Sequence, residues 1–182
     1  MKGLTTERLN LTMFSLSDAK DLFDYAKNPN VGPHAGWAPH KSIDESKKII
    51  KEIFFPAQSW AIRLKSNNKV IGSIGLEEDR FRPGGNSREM GYSLAEEHWH
   101  KGIMTEAASE VLRFAFEEMM LDQVGICTSK VNQRSQRVIE KCGFKYEGTI
   151  RRAYKIYDGS MRDSMVFSIL KCEWESHRII QE

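Results

Sequence analysis

Apolar residues recur along this chain with two alternating periods, and the switches between them divide it into elements. Leu9, Leu11 and Met13 alternate with polar neighbours as a half-buried strand does, and Ser17 or Asp18 then starts a helix carrying Ala19, Leu22, Phe23 and Ala26 on one face. That helix stops near Asn28-Pro29. The stretch Gly32-Pro33-His34-Ala35-Gly36-Trp37-Ala38-Pro39 is rich in turn formers and leads to Ser42, which with Glu45 makes a capping box for a second helix with Ile43, Ile50, Ile53 and Phe54 inward. Trp60, Ile62 and Leu64 alternate, as do Val70, Gly72, Ile74 and Leu76, and Ser66-Asn67-Asn68 between them completes a hairpin. Beyond the loop Arg82-Pro83-Gly84-Gly85-Asn86, a strand holds Met90, Tyr92 and Leu94, and the period then lengthens to a helix striped by Ala108, Val111, Leu112, Ala115 and Met119. Val124, Ile126 and Thr128 give a strand. Ser135, Val138, Ile139 and Cys142 mark a helix stopped by Gly143. A strand from Phe144, a turn at Tyr157-Asp158-Gly159 and a strand with Met165, Phe167 and Ile169 precede a short polar tail.

The predicted order is therefore β-α-α-β-β-β-α-β-α-β-β. Meander strands come first and alternate with helices later, which argues for a mixed α/β (α+β) sheet and against a doubly wound parallel one. A length of 182 residues with 40% hydrophobic content suits one domain spanning 1–182, and no repeat or linker interrupts it.

Charge narrows the function. Lys and Arg number 27 against 25 Asp and Glu, a formal net charge of +2, which excludes binding of nucleic acid by broad phosphate neutralisation. Met1 to Asn10 offers no signal-peptide or transit-peptide pattern, and no run approaches the roughly 18 apolar residues of a membrane span. Cys127, Cys142 and Cys172 share no ligand spacing and read as reduced, buried fillers. A cytoplasmic protein without membrane association is the expectation. His98 and His100 lie two apart with no third ligand near, and His34 and His40 sit in a distant loop, so no metal is expected.

One segment stands out chemically. Glu89-Met90-Gly91-Tyr92-Ser93-Leu94 forms a strand that feeds a helix opening at Gly102-Ile103-Met104-Thr105-Glu106-Ala107 through a Gly-containing turn. A helix N-terminus presents unpaired amides and partial positive charge, so it holds phosphate without particular side chains. Walker and dinucleotide-fold glycine spacings are absent.

These residues resemble the GNAT superfamily, in particular the branch of ribosomal-protein N-terminal (alanine) acetyltransferases. Glu89-Met90-Gly91-Tyr92 looks like the branch's Glu-x-Gly-Tyr strand, and Trp99-His100-Lys101-Gly102-Ile103-Met104-Thr105-Glu106-Ala107 like its Trp-Gly-x-Gly-x-x-Thr-Glu-Ala loop. Asn132-Gln133-Arg134-Ser135 with Glu140-Lys141-Cys142-Gly143-Phe144 is similar to Asn-x-x-Ser followed by Glu-Lys-x-Gly-Phe, and Tyr157-Asp158-Gly159 with Asp163 resembles the closing hairpin. The match begins at Thr6-Glu7-Arg8-Leu9. His100 departs from the usual Gly, Met104 from an often small residue, and Trp99 from the Gln or Arg of the wider superfamily.

The resemblance implies a GNAT-like, mostly antiparallel central sheet flanked by helices, and an acetyl-CoA-dependent N-acetyltransferase working by direct attack in a ternary complex. It implies that pantetheine pairs with the strand ending at Leu94, that the pyrophosphate rests on the amides of His100, Lys101, Gly102, Ile103, Met104 and Thr105, and that Asn132 bonds the pantetheine arm. Arg134, Arg137 and Lys141 share one helical stripe that either faces the coenzyme's ribose phosphate or is a solvated basic face. Glu89 is the expected general base, with an ordinary ion pair to Arg88 or Arg82 as its other reading. Ser135 is the expected acid, because Ile139 stands where many relatives carry Tyr; its other role is a helix-start hydrogen bond. His34, Trp37, Tyr92, Tyr154 and Tyr157 are expected to flank the acceptor amine, a protein N-terminus or a small amine. A non-catalytic acyl-CoA-binding module is the rival reading, and monomer and homodimer both stay open.

Overall fold

The computed structural model describes residues 2–181. Eight strands form one sheet: β1 Leu4–Thr5, β2 Leu9–Met13, β3 Trp60–Leu64, β4 Val70–Glu78, β5 Ser87–Leu94, β6 Gln123–Thr128, β7 Lys145–Lys155 and β8 Met161–Leu170, in the order β1-β2-β3-β4-β5-β6-β8-β7. Every neighbouring pair is antiparallel except β5 and β6, which run parallel. A parallel pair needs a long crossover, and α4, Ile103–Arg113, supplies it. The other helices are α1 Ala19–Ala26, α2 Gly32–Ala35, α3 Ile43–Ile49, α5 Gln133–Lys141 and α6 Lys171–Gln181. The mixed sheet is the one expected from the strand and helix periods, and its mostly antiparallel order with flanking helices is the one the family resemblance implies.

Side chains that alternate along the strands fill two cores. Leu9, Leu11, Trp60, Ile62, Ile74 and Met90 pack with Val111, Leu112 and Phe116 of the crossover, while Ala61 and Val70 pack under Leu22, Tyr25, Ala26 and Ile50. Val70 departs from the predicted shared face with Ile74 because the β3–β4 register shifts between Ile62 and Arg63, leaving Ile71 as the extra residue.

Three further corrections follow from tertiary packing. The second predicted helix changes phase: α3 runs into a π-turn over Ile50–Phe54, in which Phe55 N–H reaches Ile50 O at 2.9 Å, so Ile50 stays fully buried while Ile43 and Ile53 turn outward, Ile53 to 50% exposure. The polar tail is helix α6, anchored by Trp174 against Phe116 at 5.3 Å between ring centroids. Of the cysteines only Cys142 is buried; Cys127 is half-buried and Cys172 exposed. Among the described residues, no helix is long and apolar enough to cross a membrane.

Candidate active site

β5 pairs with β6 only from Ser87↔Gln123 to Met90↔Ile126, after which the two strands part, β5 continuing to Leu94 and β6 staying with β8. Ala95 N–H bonds Ile71 O at 2.8 Å toward β4. Because backbone groups alternate edges along a strand, the amides of Leu94 and Tyr92 face the opposite way, into the wedge. Trp99 Nε1 closes the far end of that edge by donating to Leu94 O at 2.9 Å, and the Arg134 guanidinium lies 3.9 Å from the Trp99 ring centroid.

Glycine and an unusual histidine shape the turn entering α4. Gly102 is the N-cap with φ 73°, and His100 has φ 60°. His100 thus adopts the left-handed backbone that the family's glycine would take freely, at a cost of about 1 kcal/mol. The turn is braced from the chain's start: Arg8 N–H and Nε donate to Glu106 at 2.9 and 2.6 Å, Thr6 Oγ1 donates to the same carboxylate, and Arg8 Nη1 reaches Lys101 O at 2.9 Å. Within α4 the first intrahelical bond runs from Glu106 N to Gly102 O at 3.0 Å, which leaves the amides of Ile103, Met104 and Thr105 without intrahelical acceptors.

Those residues open onto a cavity of about 240 Å³, lined also by Leu94, Trp99, His100, Asn132, Arg134, Arg137 and Lys141. All three bases of the predicted stripe therefore face it, and among the described residues no Asp or Glu does. Free helix amides and three cations, with no carboxylate lining the cavity beside them, suit a pyrophosphate and a ribose phosphate. The residues present fit coenzyme A. Lys101 is the exception in the predicted set: its carbonyl is held by Arg8 and it does not line the cavity.

A second cavity of about 560 Å³ lies below, its floor carrying Glu77, Arg80, Glu89 and Asp163 and its wall Leu22, Tyr25, Trp37, Ile49, Ile53 and Phe54. The two cavities share His34, Ala35, Tyr92, Ser93, Asn132 and Ser135. At this junction Asn132 caps α5, its Oδ1 accepting from Ser135 N–H at 3.2 Å, and the Tyr92 and Ser135 hydroxyls lie 2.9 Å apart. Burial holds the Tyr92 phenol well above its ordinary pKa despite the Ser135 hydrogen bond, so it is a proton-bearing hydroxyl. Ile139 is fully buried in the core. The phenol absent from α5 reaches the site from β5.

Glu89 is 7% exposed and borders the second cavity alone. Its partner is Arg80, not Arg82 or Arg88: Nε and Nη2 each donate to a carboxylate oxygen at 2.7 Å. Arg82 instead serves Asp79, at 3.0 Å, and Glu147. Cys127, beside Glu89, has its thiol pushed up to about 12 by burial and then by that carboxylate, so it is no nucleophile. Of the acceptor-side residues, His34, Trp37, Tyr92 and Tyr154 line the second cavity, whereas Tyr157 is half exposed outside both, its N–H bonding Gly36 O at 3.0 Å. Sequence reasoning missed Arg80, Ser93 and Arg162, since only the fold brings them to the cavity; Trp99 was quoted as part of the motif, and only the fold sets its ring against Arg134.

A family model described as an acetyltransferase (GNAT) domain matches residues 8–145. An uncharacterized N-acetyltransferase of Bacillus subtilis, YoaA, is 30% identical over 176 residues, 92% of this chain and 96% of that protein. From the same organism, the protein named "Putative ribosomal N-acetyltransferase YdaF" is 39% identical over 90 residues, 50% of this chain and 49% of its own. A crystal structure of an acetyltransferase from Bacillus anthracis, at 22% identity, superposes with a TM-score of 0.83 over 94% of this chain and 100% of that one.

Proposed function

Because the chain belongs to the GNAT acetyltransferase family, whose members use acetyl-CoA, we propose that it acetylates an α-amino terminus of a protein or peptide, bringing coenzyme and acceptor together from opposite sides of one junction. The observation carrying this reading is the meeting of a basic, helix-capped cavity with a carboxylate-floored one at Tyr92 and Ser135. When bound, acetyl-CoA supplies an activated acyl group with a thiolate leaving group. The Leu94 and Tyr92 amides face the wedge, where they hold the pantetheine arm and donate to the acyl oxygen as negative charge develops on it. Ser135, bonded to Tyr92, delivers a proton to the departing sulfur. The acceptor cavity carries Glu77, Glu89 and Asp163 against Arg80 and Arg162, an excess of carboxylate that favours arrival of an ammonium.

Proton chemistry favours the α-amine. With a pKa near 7.7 to 8.0 it is roughly 10 to 20% neutral at pH 7, against about one molecule in 2,500 for a lysine of pKa about 10.4. The name of the YdaF relative points the same way. Three acceptor pools decide it: peptides with free N-termini beginning with Ala, Ser or Met, lysine peptides with blocked termini, and small amines including polyamines and aminoglycosides. Acetylation of the first pool is expected by mass spectrometry. Acetylation confined to blocked lysine peptides refutes the reading, and a response only from small amines moves it to that class.

A further inference from the structure

We propose that the imidazole of His34 is the base that takes the proton from the acceptor nitrogen during acetyl transfer. The assignment rests on an amine being acetylated where the two cavities meet, and not on which amine it is.

Among the six residues shared by the cavities, His34 alone carries a group whose ordinary titration lies near neutrality. Its backbone is fixed from two sides. Arg162 Nη1 donates to Pro33 O at 2.7 Å, Tyr157 N–H to Gly36 O at 3.0 Å, and Trp37 N–H to Gly32 O at 3.1 Å, while a Cβ on Gly32 would meet the Trp37 ring at 2.4 Å. The ring itself is uncommitted: among the described residues it has no hydrogen bond, ion pair or ring contact. His40 Nδ1 is engaged with Ser46 Oγ at 2.8 Å and His98 Nε2 with Glu97 Oε1 at 3.3 Å, while His100 lines the first cavity and not the second. Glu89, the other candidate, has both oxygens in the grip of Arg80 and does not reach the junction.

The charged groups around His34 set its state. Burial first, then Arg134 from α5 and Arg162 from β8, hold its pKa below 6.5; His98, His100, Arg137 and Lys141 also line the first cavity, Glu77, Asp163 and the Glu89–Arg80 pair the second, and the proton-bearing Tyr92 both. The imidazole is therefore neutral at pH 7 and becomes charged as pH falls through that lowered value. A weak base suffices, because the neutral amine attacks first and its nitrogen turns strongly acidic once bonded to the acetyl carbon. In the balanced step the C–N bond forms, the N–H proton passes to His34, the C–S bond breaks, and the thiolate takes the Ser135 hydroxyl proton. Tyr92 re-protonates Ser135, and the imidazolium returns its proton through solvent to the hydroxyl pair.

The test uses the full chain, acetyl-CoA and the best acceptor among the three pools, with acceptor-free thioester hydrolysis as the readout if no pool responds. For His34→Ala and His34→Gln, kcat at pH 7.5 is expected to fall about a hundredfold, and the acidic limb of the kcat–pH profile to lose the ionisation lying below 6.5 while keeping that of the acceptor amine. Acetyl-CoA affinity is expected to stay within about twofold, and added imidazole to restore rate to His34→Ala but not to Ser135→Ala. Both variants should melt near the wild type, since the ring bonds nothing in the protein; if the Ala variant does not fold, the Gln variant carries the test. An unchanged acidic limb in His34→Gln, or that ionisation lost in Glu89→Gln and kept in His34→Gln, overturns the assignment. A failed α-amine reading shows separately, in which pool responds.

Discussion

Ser135→Ala and Tyr92→Phe are each expected to lower turnover about tenfold to a hundredfold with little change in acetyl-CoA affinity, and the double variant to be no worse than the poorer single. The two hydroxyls sit 2.9 Å apart and Asn132 fixes Ser135 through its amide, so they form one proton-delivering unit. Members of a unit give non-additive losses. The size stays modest because a thiol with an ordinary pKa near 8.5 needs less help to leave than an alcohol would. Steady-state thiol release for the three variants checks this. Strictly multiplying losses would mean that the two hydroxyls do separate jobs, and an undiminished Ser135→Ala rate would reduce Ser135 to a helix-start residue.

Glu106→Ala is expected to cost about 2 to 4 kcal/mol of stability and to weaken coenzyme binding as well. One carboxylate accepts from Thr6, from the Arg8 backbone and from the Arg8 guanidinium, and the same arginine holds Lys101 O in the phosphate turn. Losing it frees the turn and strands Arg8, though Arg8 is partly solvated, with 44% of its side-chain surface exposed, which keeps the cost below that of a fully buried pair. The sign with pH follows. Burial would raise the Glu106 pKa, but the Thr6 and Arg8 hydrogen bonds outweigh it and hold it below the usual carboxylate value. Its stabilisation is thus complete above the unfolded pKa near 4.3 and is lost as pH falls through the lower folded value. Urea unfolding between pH 3 and 7 should show the wild type's advantage over Glu106→Ala constant at neutral pH and shrinking below about pH 4. An advantage independent of pH would assign the effect to packing.

Much of this was legible in the sequence because it is local. Strands β2 to β6 and β8 and helices α1, α4 and α5 announce themselves by period, and the phosphate turn works through backbone amides whose position a short motif fixes. What was illegible depends on tertiary context. Helix α2 is four residues held by Arg162 and Trp37, and α6 is anchored in the core by Trp174. The π-turn after α3 alters phase with no warning residue. Arg80 reaches Glu89 only because the β4–β5 register sets Glu77 opposite Glu89 and turns the chain back just beyond. Tyr157 was misplaced because a turn residue of the closing hairpin looks the same whether it points inward or out.

The central claim is that acetyl-CoA occupies the basic cavity between β5, α4 and α5. Calorimetric titration of acetyl-CoA into the wild type and into an Arg134→Ala, Arg137→Ala, Lys141→Ala triple variant tests it most directly, with thermal unfolding in parallel. One site per chain is predicted, with about 2.7 kcal/mol of stabilisation at a hundredfold excess over Kd and an affinity at least about tenfold weaker in the triple variant. No heat and no thermal shift up to millimolar coenzyme, or equal affinities for the two proteins, would contradict it.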